Sequence, residues 1–260
     1  MPIRQFFSQL FSSRHDEDDT VGMLWISIWP KDSAMVAYDF NQTISNTLIP
    51  KFLATEGVLH VWQVKNNSPS ARGGTVYNNN RPERGGPYSL FVPHTNIKAV
   101  DWTKAIYSKE KENIFGAELR AYRLVQRFEG RHKHGQGHCL VAILIDPADG
   151  QTEDIDLWYR TENLRMMADT PMHIRSRRYE RMTGSDEGAD DTAPRMLCVH
   201  EFTSSKALLD HAIRYERIVE KTPWSEKIFA NVKSSERTVW DITEKHMPKG
   251  RIASRRAGIS

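Results

Sequence analysis

Met23-Leu24-Trp25-Ile26-Ser27-Ile28-Trp29-Pro30 and Leu140-Val141-Ala142-Ile143-Leu144-Ile145-Asp146-Pro147 are apolar runs of equal length, and both end in proline. Each reads as a strand stopped by a residue that cannot extend the ladder. Each is followed by a helical stretch. The first is Val36–Thr55, with Phe40, Ile44, Leu48 and Phe52 four apart, and the second is Asp154–Ala168, with Ile155, Trp158 and Tyr159 on one side. Breakers close both helices, at Glu56-Gly57 and Thr170-Pro171, and a strand follows each, over Val58–Lys65 and Met172–Arg181.

The parallel continues. Pro87–Pro93 and Pro194–Phe202 read as matching strands. Helical patterns come next, over Asn96–Lys109 and Ser204–Val219, and a last strand ends each half, over Leu119–Glu129 and Glu236–Thr243. Each half is β-α-β-β-α-β, the ferredoxin-like order. The fold class is therefore α+β, with tandem ferredoxin-like repeats. Side chains alternate along a strand, so Trp25, Ser27 and Trp29 oppose Leu24, Ile26 and Ile28. The aliphatic set suits the helices, and the Trp/Ser set needs a second cover. The sheet of the other half supplies it, closing a barrel-like sandwich within one chain, with a cavity between the sheets as the expected substrate chamber.

Around these repeats the chain divides into a flexible segment at 1–21, a first repeat at 22–130, a linker at 131–138, a second repeat at 139–246 and a basic tail at 247–260. The stretch 66–86 is polar and rich in Gly and Asn, long enough to read as a surface loop or lid.

Composition narrows the function classes. In 260 residues, 39% hydrophobic content supports a real core, and the net charge of +3 is too small to call for a nucleic-acid partner. No apolar run approaches the roughly 20 residues of a membrane-spanning helix. The two cysteines, Cys139 and Cys198, lie in apolar strands and read as buried thiols of a reducing, cytoplasmic compartment. The chain has no Gly-x-Gly-x-x-Gly, Walker loop, Gly-x-Ser-x-Gly or His-Glu-x-x-His, which argues against nucleotide cofactors, serine hydrolysis and zincin chemistry. His132, His134 and His138 sit in a Gly-rich connector and read as linker residues, so no metal is expected.

Asp156-Leu157-Trp158-Tyr159-Arg160-Thr161-Glu162-Asn163, with the strands Arg175–Glu180 and Leu197–Phe202, resembles the helix signature and strands of the EthD-like dimeric α+β barrel family, most of all its fungal two-repeat members. The resemblance spans most of residues 22–243. It implies an intramolecular dimeric α+β barrel. It also implies a cofactor-independent cyclase, isomerase or decarboxylase acting on a polyketide-like or related polar aromatic intermediate of specialised metabolism. Two departures stand out. Asn163 occupies the place of the family's helix histidine, and Thr47-Leu48 stands where the first repeat would carry Glu-His. Two alternatives therefore stay open: a non-catalytic small-molecule-binding or accessory protein, and a shape-driven pericyclase.

The candidate catalytic residues are His60 and His200. His60 shares a strand face with Trp62, as a general base or as a core histidine bonded to backbone. His200 lies beside Glu201, as an acid/base at a cavity edge or a histidine bonded across the sheet. The candidate substrate-binding residues are Trp25, Ser27, Trp29, Trp62, Tyr159, Asn163, Arg175, Arg177 and Tyr179. His173, Arg175, Arg177 and Tyr179 fall on one face by alternation, and a row of Arg forks suits a carboxylate or phenolate. Expected partners are a small-molecule substrate, with no nucleic acid and no membrane, in a monomer or a homodimer of closed chains.

Overall fold

The computed structural model describes residues 21–31, 37–67, 88–99, 115–130, 137–170, 172–182, 194–208 and 222–249. The first half holds β1 (Gly22–Pro30), α1 (Ala37–Thr47), α2 (Ile49–Ala54), β2 (Val61–Asn66), β3 (Tyr88–His94) and β4 (Phe115–Glu129). The second holds β5 (Cys139–Pro147), α3 (Thr152–Trp158), α4 (Leu164–Asp169), β6 (His173–Arg181), β7 (Met196–Phe202), α5 (Pro223–Ala230) and β8 (Val232–His246). Most of the segment 1–21, the 66–86 loop beyond Asn67, the helix expected over Asn96–Lys109 beyond a 3-10 turn at Ile97–Ala99, residues 131–136, the helix expected after Leu208 and the tail from Gly250 lie outside the described residues.

The eight strands form one closed antiparallel barrel in the order β1-β3-β2-β8-β5-β7-β6-β4. Each half contributes a ferredoxin-like sheet, β4-β1-β3-β2 and β8-β5-β7-β6, and the free edges meet at two seams, β2 with β8 and β4 with β6. The barrel thus closes within one chain, and no described strand is left as an open edge. The two 15-residue strands make this possible. β4 pairs β1 through Arg123 and β6 from Tyr122 onward. β8 pairs β5 through Asp241 and β2 from Trp240 onward. The first part of each long strand completes its own sheet, and the second part reaches across to the other half.

Alternation sorts the side chains as the sequence pattern requires. Leu24, Ile26 and Ile28 face outward and pack with Phe40, Ile44, Leu48 and Phe52 under the helices of the first half. Ile145 and Cys198 meet Ile155, Trp158, Tyr159 and Leu164 under those of the second. Inside the barrel, Met23, Trp25, Trp62, Phe91, Leu140, Ala142, Leu144, Tyr179, Leu197 and Trp240 form one buried cluster drawn from both halves. At its centre Trp25 stacks on Phe91 with ring centroids 5.0 Å apart, and Trp240 lies edge-on to both at 6.0 Å. The inter-sheet space expected as a chamber is occupied by side chains along its middle.

The helices of the second half depart from the sequence reading. The helix expected over Asp154–Ala168 widens into a π-turn at Tyr159–Asn163 between α3 and α4. A further helix, α5, precedes β8. Its start is marked by Thr222, whose side-chain oxygen accepts the Ser225 N–H at 3.0 Å, and by Pro223 in the first turn.

Candidate functional site

The candidate residues separate onto two faces of the barrel wall. At one end of the barrel, on the inner face, stand His60, Trp62, Arg175 and Arg177. His60 precedes β2 by one residue and shares the face of Trp62; their rings lie 4.4 Å apart in an edge contact. The β2–β8 register sets Lys245 opposite Trp62, and its Nζ lies 5.5 Å from that ring. Arg175 and Arg177 reach the same end from β6. Arg175 is tied to Glu201 of β7, Nε to Oε2 at 3.1 Å. Glu201 lies close against Gly137, where a Cβ would fall 2.1 Å from Oε1. Arg127 and Glu129 of β4 are in register with Arg177 and Arg175.

This setting dictates the state of His60. Burial, and then the charges of Lys245, Arg177 and Arg175, lower its pKa to about 3, so the imidazole is neutral near pH 7. Its Nε2 is buried with no hydrogen-bond partner. Tyr179, just below, is pushed up to about 12, chiefly by burial, and keeps its phenolic proton.

His200 is on the opposite face. Val199 points into the barrel, so His200 points outward, under the helices of the second half. There Ser176 Oγ lies 2.7 Å from His200 Nδ1 and 2.8 Å from His173 Nε2. All three side chains are buried. One hydroxyl carries one proton, so it donates to one ring and accepts from the other, and the two histidine tautomers are coupled. Burial, then the neighbouring His173 and Arg237, hold the His200 pKa well below the usual value. The sequence reading placed His173 on the face of Arg175 and Arg177. A bulge between His173 and Arg175 turns it over to the face of Ser176 instead.

Tyr159 and Asn163 also belong to this outer layer. The Arg178 guanidinium lies 4.5 Å from the centroid of the Tyr159 ring and pairs with Asp156 at 2.8 Å. Asn163 is buried, with Oδ1 unpartnered. Glu162 accepts from Trp158 Nε1 and Thr222 Oγ1, joining the π-turn to the start of α5. The remaining candidates follow β1. Trp25 is in the barrel's central ring cluster, and its Nε1 donates to Ser89 Oγ at 3.2 Å. Ser27 and Trp29 lie toward the end away from His60. Trp29 is in register with Gly116, at which a Cβ would meet the indole at 2.3 Å. That end also holds the Arg120–Glu118 pair, Nε to Oε1 at 2.8 Å, with Arg120 5.5 Å from the Trp25 ring. The structure therefore brings His60, Trp62, Arg175, Arg177 and Tyr179 together and leaves His200, Tyr159, Asn163, Ser27 and Trp29 elsewhere.

Sequence reasoning missed Lys245, Glu201 as the partner of Arg175, and the Glu118–Arg120 pair. Alternation along β4 and β8 would have turned Glu118, Arg120 and Lys245 inward, had the full lengths of those two strands been legible. Among the described residues, no three His, Cys, Asp or Glu side chains converge as metal ligands, and no helix is long and apolar enough to cross a membrane.

No protein-family model matches the chain, and no curated protein matches it. Solved structures share its architecture. An anthrone oxidase-like protein superposes with a TM-score of 0.59 at 10% identity, over 92% of this chain and 97% of its own. A mutant chlorite dismutase from Candidatus Nitrospira defluvii gives 0.53 at 8% identity, over 87% and 92%. The likeness is one of fold, the dimeric α+β barrel, realised here by two halves of one chain.

Proposed function

We propose that the chain is a two-repeat, EthD-like protein and a cofactor-independent enzyme of the cyclase, isomerase or decarboxylase type, acting on a polyketide-like or related polar aromatic acid. The observation that carries this reading is a neutral imidazole with a buried, unpartnered Nε2, set beside Lys245, Arg177 and Arg175 at one end of the barrel. A base in that setting takes a proton from an enolisable carbon, and the neighbouring cations stabilise the enolate that results. For isomerisation the proton returns to a different carbon. For decarboxylation the carbon–carbon bond pair flows into the enolate as carbon dioxide leaves the bound carboxylate, and a proton from water, relayed through the imidazole, completes the ketone. His60 is the acid/base in this reading. Arg175 and Arg177 hold the acid group, Trp62 is the apolar wall and Tyr179 is a hydroxyl donor. His200, across the wall, orders the sheet through Ser176.

The test uses benzoylacetate, an aromatic β-keto acid. Deuterium exchange at its α-carbon and release of acetophenone are followed by NMR, with protein dialysed against EDTA. Exchange or decarboxylation above the buffer rate is expected, with a loss of about 10²–10⁴-fold in His60→Asn. A wild-type rate equal to buffer, or a variant at full rate, would overturn the assignment.

A non-catalytic binding protein is the second reading. The observation in its favour is the filled middle of the barrel, where Trp25, Phe91 and Trp240 leave the inter-sheet space to side chains.

A further inference from the structure

β6 changes phase just after it begins. His173 is in register with Phe202 of β7, whereas Arg175 is in register with Glu201, Ser176 with His200 and Arg177 with Val199. One residue of β6, Ile174, is therefore extra. Residues opposed across an antiparallel ladder share a face. Had the His173–Phe202 register run on unbroken, Arg175 would oppose His200 and Arg177 would oppose Cys198, both under the helices, and Ser176 would oppose Val199 inside the barrel. The bulge reverses this. Arg175 meets Glu201, Nε to Oε2 at 3.1 Å, and Arg177 and Tyr179 fall opposite Val199 and Leu197 of the inner cluster. Contacts on both sides hold the extra residue. The Ile174 carbonyl accepts the Gly130 N–H at 2.7 Å, and a Cβ on Gly130 would fall 2.5 Å from His173 Nδ1, so this close approach needs glycine. On the outer face, Ser176 Oγ reaches back across the bulge to His173 Nε2 at 2.8 Å and across the ladder to His200 Nδ1 at 2.7 Å. All three side chains are buried, so breaking either bond leaves a polar atom with no water to replace its partner. In the unbroken register Ser176 would turn inward and lose both rings.

We propose that Ser176 is a positioning residue: the hydroxyl it shares with His173 and His200 fixes the phase of β6 and thereby keeps Arg175 and Arg177 inside the barrel. The phase lock stands on the register and the hydrogen bonds. Its part in the reaction rests on the acid-holding role given to Arg175 and Arg177 above. Ser176 itself faces away from the barrel interior and acts through its neighbours in the strand. A slip of one residue sends every side chain of a strand to the other face, so one hydroxyl at the bulge governs both arginines at once.

The experiment follows the Arg175 Nε–H by proton–nitrogen NMR, its resonance assigned by loss in Arg175→Lys. Buried and ion-paired to Glu201, this hydrogen is expected to exchange slowly with water in the wild type. Ser176→Ala removes the hydroxyl, and His173→Phe removes the bond from its other end while keeping a ring there. In both, exchange is expected to quicken by about tenfold or more. Ser176→Thr keeps the hydroxyl and is expected to keep the wild-type rate. Val141→Ala is the control for general loosening: it truncates the β5 residue in register with His200, in the same buried layer. It is expected to lower the urea midpoint and to leave exchange at Arg175 unchanged. Fast exchange already in the wild type, wild-type exchange in both Ser176→Ala and His173→Phe, or equal quickening in Val141→Ala would each overturn the proposal. Benzoylacetate kinetics read the role in the reaction separately. Ser176→Ala is expected to raise KM about tenfold with a smaller change in kcat. Quickened exchange with KM unchanged would remove the acid-holding role and leave the phase lock standing. A wild type without turnover would remove the reaction alone.

Discussion

At the scale of single residues, environment outweighs identity. His60 and His200 are the same side chain, one just ahead of β2 and the other in β7, yet one ends at the barrel end and the other beneath helices, sharing Ser176 with His173. The thiols show the same dependence. Cys139 and Cys198 are unbridged and buried, and burial pushes both up to about 12. A thiol in that state offers almost no thiolate at neutral pH. Ellman's reagent is therefore expected to label neither within minutes in the native protein and both at once in guanidinium. Rapid native labelling of either would contradict the burial that the fold imposes on it.

At the scale of elements, turns and bulges decide which face a residue reaches. The turn between α2 and β2 needs Gly57, at φ +87°, where a Cβ would meet the His94 ring at 2.5 Å. That ring is pinned: the Asn96 N–H donates to Nδ1 at 2.7 Å, so Nε2 carries the proton and donates to the Glu56 carbonyl at 2.7 Å. Left-handed strain and a ring that cannot move combine, and Gly57→Ala is expected to cost about 1–3 kcal/mol. A urea midpoint equal to wild type would show that the turn relaxes freely. In the second half, the bulge beside His173 acts in the same way, moving one histidine from the inner to the outer face.

At the scale of the whole molecule, the barrel holds several histidines in surroundings that resist their protonation. His60, His94, His200 and His246 are all lowered, each by burial first. In the unfolded chain they titrate near the ordinary 6.5. A group depressed in the folded state contributes stability that is fully present above its unfolded pKa and is lost as pH falls below it. The window here opens at about 6.5 and, for His60, extends to about 3. Each such histidine contributes a slope of at most about 1.4 kcal/mol per pH unit. Urea midpoints are expected to be level above about pH 7 and to fall steeply on acidification through about pH 5. Midpoints unchanged across that range would mean that these rings are solvated.

The sequence by itself determined the repeat and the strand faces. Proline-ended apolar runs and alternation of Trp25, Ser27 and Trp29 against Leu24, Ile26 and Ile28 depend only on local periodicity, so the ferredoxin-like order and an intramolecular barrel were legible before any coordinates. Arg175, Arg177 and Tyr179 were legible as one face for the same reason, and His60 and Trp62 as another. Tertiary structure alone decided which faces meet. The distance from His60 to Arg177 depends on the β2–β8 and β4–β6 seams, which join residues far apart in sequence through the second parts of two long strands. The π-turn and the bulge at His173 each insert a change of phase that no alternation pattern records. Nor does periodicity say whether an inward tryptophan walls a chamber or fills it. That depends on how Trp25, Phe91 and Trp240 pack once both sheets are in place, because filling space is a property of the assembled core and of no single strand.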